Sequence, residues 1–70
     1  MDIKEDYYKN GQKKYEYWYL DGKLDRKDGP AVQCWYENGQ KWYEYWYLNG
    51  KQLSEREFLL LNRKRKLGKL

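Results

Sequence analysis

The sequence predicts a mostly β fold of the α+β class. Its form is an antiparallel β-meander of about five or six strands from two hairpin repeats, with one C-terminal helix packed on one sheet face. Three observations predict it. Residues 7–23 (YYKNGQKKYEYWYLDGK) return twenty-eight positions later as residues 35–51 (WYENGQKWYEYWYLNGK), with thirteen of seventeen positions identical. A duplicated unit of this length is one supersecondary element used twice. Four dipeptides, Asn10-Gly11, Asp21-Gly22, Asn38-Gly39 and Asn49-Gly50, separate runs rich in Tyr and Trp. Both central positions of a type I′ turn need positive φ, which Asn, Asp and Gly tolerate best, so each dipeptide predicts a two-residue hairpin turn. After Leu53 the aromatic pattern stops and Ser54-Glu55-Arg56-Glu57 reads as a helix capping box.

The strands follow in order: about Ile3–Lys9, Gln12–Leu20, Lys23–Arg26, Ala31–Glu37, Gln40–Leu48 and Lys51–Leu53. Aromatic residues fit a pleated surface, which favours strand for these runs. Lys27-Asp28-Gly29-Pro30 breaks the series, because Pro30 has no N–H to give to a central ladder. Pairing counted outward from Asn38-Gly39 sets Tyr36 against Lys41, Trp35 against Trp42, Cys34 against Tyr43, Gln33 against Glu44 and Val32 against Tyr45. Side chains alternate between faces. Val32, Cys34, Tyr36, Tyr43, Tyr45 and Tyr47 therefore share one face, and Ala31, Trp35, Trp42, Trp46 and Leu48 the other. The first copy repeats the pattern with Tyr15, Tyr17 and Tyr19 opposite Trp18 and Leu20. The helix is expected from about Ser54 to Lys66, stopping near Gly68, with Leu53 and Phe58 placed as a hydrophobic staple. Phe58, Leu59, Leu60 and Leu61 form a wide apolar stripe expected to dock on the tryptophan face. One domain is expected: 7–34 the first repeat, 35–53 the second, 54–66 the capping helix and 67–70 a tail.

Composition narrows the chemistry. The chain has 70 residues, a formal charge of +4, one cysteine and no histidine. Cys34 has no partner for an intramolecular disulfide, and without a signal-peptide pattern a reducing, cytoplasmic setting is expected. A metal site has almost no ligands to use, and no cofactor is expected. No apolar run reaches membrane-span length, so no membrane partner is expected. Arg63, Lys64, Arg65, Lys66 and Lys69 hold five of the fifteen positive charges, and the remaining body is near neutral.

The run Tyr19-Leu20-Asp21-Gly22-Lys23-Leu24-Asp25-Arg26-Lys27-Asp28-Gly29-Pro30-Ala31-Val32, followed by Trp35-Tyr36-Glu37-Asn38-Gly39-Gln40-Lys41, resembles the "YLNGK…DGPAV…WYxNGxK" unit of MORN-like repeats. That family occurs in phages, bacteria and large DNA viruses. The resemblance covers roughly residues 7–51 and implies consecutive β-hairpins, with Asp25 where the unit usually carries His. It implies a binding or scaffolding role and no shared active site.

Glu16 and Glu44 occupy equivalent positions, and a carboxylate pair can do general acid–base work when one member sits in an apolar pocket. The plainer reading is that each interrupts an aromatic stripe and bonds a neighbouring lysine. Cys34 lacks a base to form a thiolate, so a buried structural thiol is expected and no enzyme is predicted. Two functions remain. One is a protein-binding module that presents Tyr15, Tyr17, Tyr19, Tyr36, Tyr43, Tyr45 and Tyr47, since Tyr and Trp dominate interfaces. Its expected partner is a host protein or complex, with a two-fold homodimer as a further outcome. A phage or mobile-element product that inhibits a host defence protein, such as a CRISPR component, is the concrete form of this expectation. The alternative is a nucleotide or nucleic-acid binder that stacks bases on Tyr and Trp and sets Arg63, Lys64, Arg65 and Lys66 on phosphates.

Overall fold

The computed structural model describes residues 1–67, with side-chain positions through residue 65. The helix stop at Gly68, the tail and the Lys66 side chain lie outside the described residues. The elements are β1 (Asp2–Tyr7), β2 (Lys13–Leu20), β3 (Lys23–Leu24), β4 (Val32–Trp35), β5 (Lys41–Leu48), β6 (Lys51–Leu53) and α1 (Glu55–Leu67). All strand pairs are antiparallel, in the order β1-β2-β4-β5-β6, with β3 also on β2. The expected α+β architecture is present.

The meander has one fold in it. Strand β3 takes the Tyr19–Leu20 end of β2, whereas β4 takes Tyr15–Tyr17. Leu24 accepts from the Gly50 N–H, and the Arg26 N–H donates to the Tyr47 carbonyl. Strands β3 and β4 thus lie end to end in the rank between β2 and β5. The segment between them leaves the sheet at Trp18, whose carbonyl accepts the Asp25 N–H and whose N–H donates to Ala31. Pro30 sits in that excursion, where its missing N–H costs no ladder bond.

The hairpin turns divide into two kinds. Asp21-Gly22 and Asn49-Gly50 have positive φ at both residues, 52° and 78° in the first and 52° and 81° in the second. These are the expected type I′ turns. At Asn10-Gly11 and Asn38-Gly39 only the glycines are positive, at 90° and 91°. Here the Gly11 N–H donates to Tyr8 and the Gly39 N–H to Tyr36, and Tyr8 and Tyr36 donate in turn to Gln12 and Gln40. Each is a three-residue loop, a type I turn closed by a left-handed glycine. Asn10 Oδ1 and Asn38 Oδ1 accept from the N–H two residues on, at 2.9 Å in both copies, which suits asparagine to this turn.

The longer loop shifts the register by one residue, and a bulge shifts it back. Trp35 faces Lys41 while Cys34 faces Tyr43, so Trp42 is the extra residue; Tyr7 faces Lys13 while Asp6 faces Tyr15, so Lys14 is its counterpart. The expected pairs of Trp35 with Trp42 and Tyr36 with Lys41 are therefore corrected. The pairs of Cys34, Gln33 and Val32 with Tyr43, Glu44 and Tyr45 hold.

Helix α1 begins with the capping box. The Glu57 N–H donates to Ser54 Oγ at 3.1 Å, and the Ser54 N–H to Glu57 Oε1 at 3.0 Å. Phe58 is 1% exposed and its ring lies 6.5 Å from that of Trp46, which docks the helix on the tryptophan face. The wide leucine stripe does not dock: Leu59, Leu60 and Leu61 are exposed. Consecutive helical residues point about 100° apart, so four in a row cannot share one face. The side facing the sheet runs instead through Phe58, Asn62 and Arg65, where Arg65 donates to Asn62 Oδ1 and, at 2.8 Å, to the Lys27 carbonyl. The helix thus crosses the sheet from β6 towards the 25–30 excursion.

Phe58→Ala removes the only large, fully buried side chain among the described residues. It should cost about 3 kcal/mol or more in urea unfolding. Gly22→Val forces a β-branched residue to φ 78° and should cost about 1–2 kcal/mol, even though a Cβ there meets open space.

Candidate functional site

The duplicated strands build two chemically different faces. On one, the Tyr15 and Tyr17 rings stack with centroids 5.2 Å apart, and Tyr43 and Tyr45 repeat the pair at 5.2 Å. Strand β4 runs between them with Val32 and Cys34, both buried, facing the same way. Small residues between two rows of tyrosines let the rings close over the central strand. Contact with the Cys34 thiol, then burial, raises the Tyr43 phenol above its ordinary range; burial and then Cys34 raise Tyr17. Cys34 is a buried free thiol beneath phenols, the structural role expected of it.

The bulge adds a residue that face alternation alone misassigns. Trp42 was expected among the tryptophans but lies with the tyrosines. Its ring stacks on Tyr36 at 5.3 Å and meets Tyr43 edge-on at 5.3 Å. The two residues of a bulge that oppose one partner no longer alternate, so Trp42 joins Tyr43. Tyr36, Trp42, Tyr43 and Tyr45 form a continuous run of rings, with Trp42 59% exposed at its centre. The sequence carries no sign of it, because Asn-Gly lies in a three-residue loop here and forms a type I′ turn at Asn49. In the first copy the same bulge carries Lys14, whose ammonium lies 5.7 Å from the Tyr8 ring centroid. The two copies share one geometry, but only the second presents an uncharged platform.

Of the other predicted protein contacts, Tyr15, Tyr17, Tyr19 and Tyr47 lie on this face and are half-buried. Lys4 lies 5.7 Å from the Tyr19 ring. Among the described residues no element covers the face, since α1 packs on β5 and β6 from the opposite side.

The tryptophan face is a network of charges and rings. Glu16 accepts from Lys13 at 2.6 Å and from the Trp18 indole N–H at 2.6 Å, with Arg26 at 3.5 Å. The Arg26 guanidinium lies 3.9 Å from the Trp18 ring centroid, donates to Asp28 Oδ1 at 2.7 Å and reaches the Pro30 carbonyl at 3.1 Å. Arg26 thereby fills the interior of the 25–30 excursion and ties it to the sheet. In the second copy Lys41 bonds Glu44 at 2.6 Å, repeating Lys13 with Glu16. Both lysines lie 5.9 Å from the Trp35 ring. Burial pushes Glu16 up, but Lys13, the Trp18 N–H and Arg26 together hold it below its ordinary range. Each carboxylate is thus engaged by its lysine, which leaves neither as a free general base. A cleft of about 350 Å³ beside Arg26, lined by Trp18, Leu20 and Asp25 among others, is open to solvent.

The two sets of candidate site residues are not brought together. Arg63, Lys64 and Arg65 belong to α1, across the sheet from the tyrosines, and Arg65 is engaged with Lys27 and Asn62. Comparison with family models, with curated proteins and with solved structures gives no match.

Glu16 gives a pH dependence with a definite sign. Its carboxyl titrates lower in the folded chain than the 4.5 of the free group, so the stability it contributes is full above pH 4.5. That contribution is lost as the pH falls through the lower, folded-state value. Glu16→Gln should therefore be less stable than the parent at about pH 6 and should lose less of its stability on acidification to about pH 3. Urea midpoints across that range measure it.

Proposed function

We propose that the chain is a non-enzymatic protein-binding module whose contact surface is the aromatic platform of Tyr36, Trp42, Tyr43 and Tyr45. One observation carries this reading: a run of uncharged rings, with Trp42 59% exposed at its centre, stands uncovered. Trp and Tyr supply most interface hot spots, because a rigid ring buries much surface for little lost freedom. A sheet ties these rings to the backbone, so the platform is preorganised. The engaged carboxylates and the covered Cys34 support a binding role over an enzymatic one.

Nucleic-acid binding is the weaker reading. Lys13 and Lys41 are paired with Glu16 and Glu44, and Arg63 and Lys64 are on the far side of the sheet from the rings. One strand therefore does not meet the platform and the helix cations together. The MORN-like resemblance supports a biological setting: a phage or mobile-element product that acts in a host cell's cytoplasm. There it occupies the surface of a defence protein, a CRISPR component being one example.

Affinity capture from nuclease-treated host lysate tests the reading, with parallel light scattering to detect a second copy as the occupant. Trp42→Ala should weaken capture by about 2 kcal/mol or more. The double change Arg63→Gln with Lys64→Gln should leave capture intact at physiological salt. Capture that survives Trp42→Ala but disappears with nuclease or with the double change would install the nucleic-acid reading in its place.

A further inference from the structure

The duplication leaves one edge of the sheet unfilled, and the first copy shows what fills it. Strand β2 presents Tyr15, Glu16 and Tyr17 to β4, opposite Cys34, Gln33 and Val32. Strand β5 carries the same sequence at Tyr43, Glu44 and Tyr45, and β6 covers its outer edge only along Trp46–Leu48. No strand among the described residues pairs with that edge at 43–45. The segment that should follow by repetition, beginning at Leu59, is helix α1, which turns across the tryptophan face instead.

Main-chain directions make this edge ready for a strand. Trp18 donates to Ala31 and accepts from Asp25, so the even-numbered residues of β2 direct their polar groups to that side. The duplicated register gives Glu44 and Trp46 the same direction. Trp46 is already paired with Leu53 of β6, so the open main-chain groups at this edge are those of Glu44, whose counterpart Glu16 is filled by Gln33 in the first copy.

We propose that the open edge of β5 accepts an extended segment of a partner protein by antiparallel strand addition, beside the aromatic platform. This inference rests on the protein-binding reading above and specifies how the partner is held. The occupant's chemistry follows from β4. Two small apolar residues, standing where Val32 and Cys34 stand, fit under Tyr45 and Tyr43, and an uncharged polar residue between them faces Glu44. Main-chain hydrogen bonds supply affinity in this mode, and alternate side chains supply selectivity.

A second copy's β1 is the less suited occupant. Residues 3–7 stand twenty-eight positions before 31–35, so Glu5 would face Glu44 and Asp6 would lie beneath Tyr43. The chain's own β1 makes that pairing on β2, where Lys13 reaches both Glu5 and Glu16, at 3.3 and 2.6 Å. At the edge of β5 the equivalent Lys41 would have to serve an added Glu5 as well as Glu44, whereas a strand of small uncharged residues brings no such charge. Charge on β1 blunts that edge against pairing, whereas the edge of β5 has only Glu44, already engaged by Lys41.

The test adds a synthetic peptide with the sequence of residues 29–37, carrying Cys34→Ser, to the full ¹⁵N-labelled chain and follows amide exchange. The expected result is new protection at the Glu44 amide, the one in the 43–45 stretch that points to the open edge. A peptide N-methylated at its glutamine, the residue that faces Glu44, should bind about tenfold more weakly or worse. Loss of protection at the chain's own Val32, Gln33 and Cys34 amides with no gain at Glu44 would mean exchange with β4 and would overturn the proposal, as would no binding of either peptide. Binding indifferent to N-methylation but lost in Trp42→Ala would overturn the edge while keeping the platform. Wild-type edge binding combined with lysate capture unaffected by Trp42→Ala would do the reverse.

Discussion

The two-faced sheet depends on a compensation within each hairpin. A three-residue turn at Gly11 and at Gly39 displaces the pairing by one residue, and a bulge at Lys14 and at Trp42 restores it. Without the bulge, every residue of β2 and β5 beyond it would change faces, burying charge and exposing the small residues of β4. With it, Tyr15, Tyr17, Tyr43 and Tyr45 close over Val32 and Cys34, while Glu16, Glu44 and their lysines stay opposite. The bulge also frees one position from strict alternation. The first copy uses it for Lys14 and the second for Trp42, so one geometry yields a charged site and an aromatic one.

The join between the copies depends on Arg26. A strand pairing of two residues in β3 cannot hold the 25–30 excursion in place. The guanidinium does so by stacking on Trp18 and bonding Asp28, Pro30 and Glu16 at once. Gly29 lies against it so closely that a Cβ would come within 3.1 Å of the guanidinium carbon. The tips of the two long hairpins are tied as well, by Asn10 Nδ2 to the Glu37 carbonyl and Tyr8 Oη to the Trp35 carbonyl, both at 2.9 Å. These cross-copy bonds make a rigid platform out of two short ribbons that would be marginal alone.

Much of this was legible in the residues. The duplication and the glycine positions give the strands, and the capping box gives the helix start, because each reflects a local backbone requirement. The register beyond Cys34 was also legible, for a less secure reason: a loop counted one residue short and an uncounted bulge cancel. The turn type was not legible, since Asn-Gly forms a three-residue loop at Asn38 and a type I′ turn at Asn49. Positive φ at glycine is common to both. The placement of Trp42 was hidden for the same reason, and with it the centre of the candidate site. The run Phe58–Leu61 reads as a stripe by composition, but consecutive helical residues turn about 100° apart, so of these four only Phe58 faces the sheet.

Contacts of the Trp42 ring test the central claim most directly, because the aromatic platform exists only if the bulge turns that ring to the tyrosine side. Nuclear Overhauser contacts in solution should connect the Trp42 indole to the rings of Tyr36 and Tyr43, whose centroids lie 5.3 Å away. Contacts from Trp42 to Trp35 in their place would restore the unbulged pairing, return Trp42 to the opposite face and contradict the account.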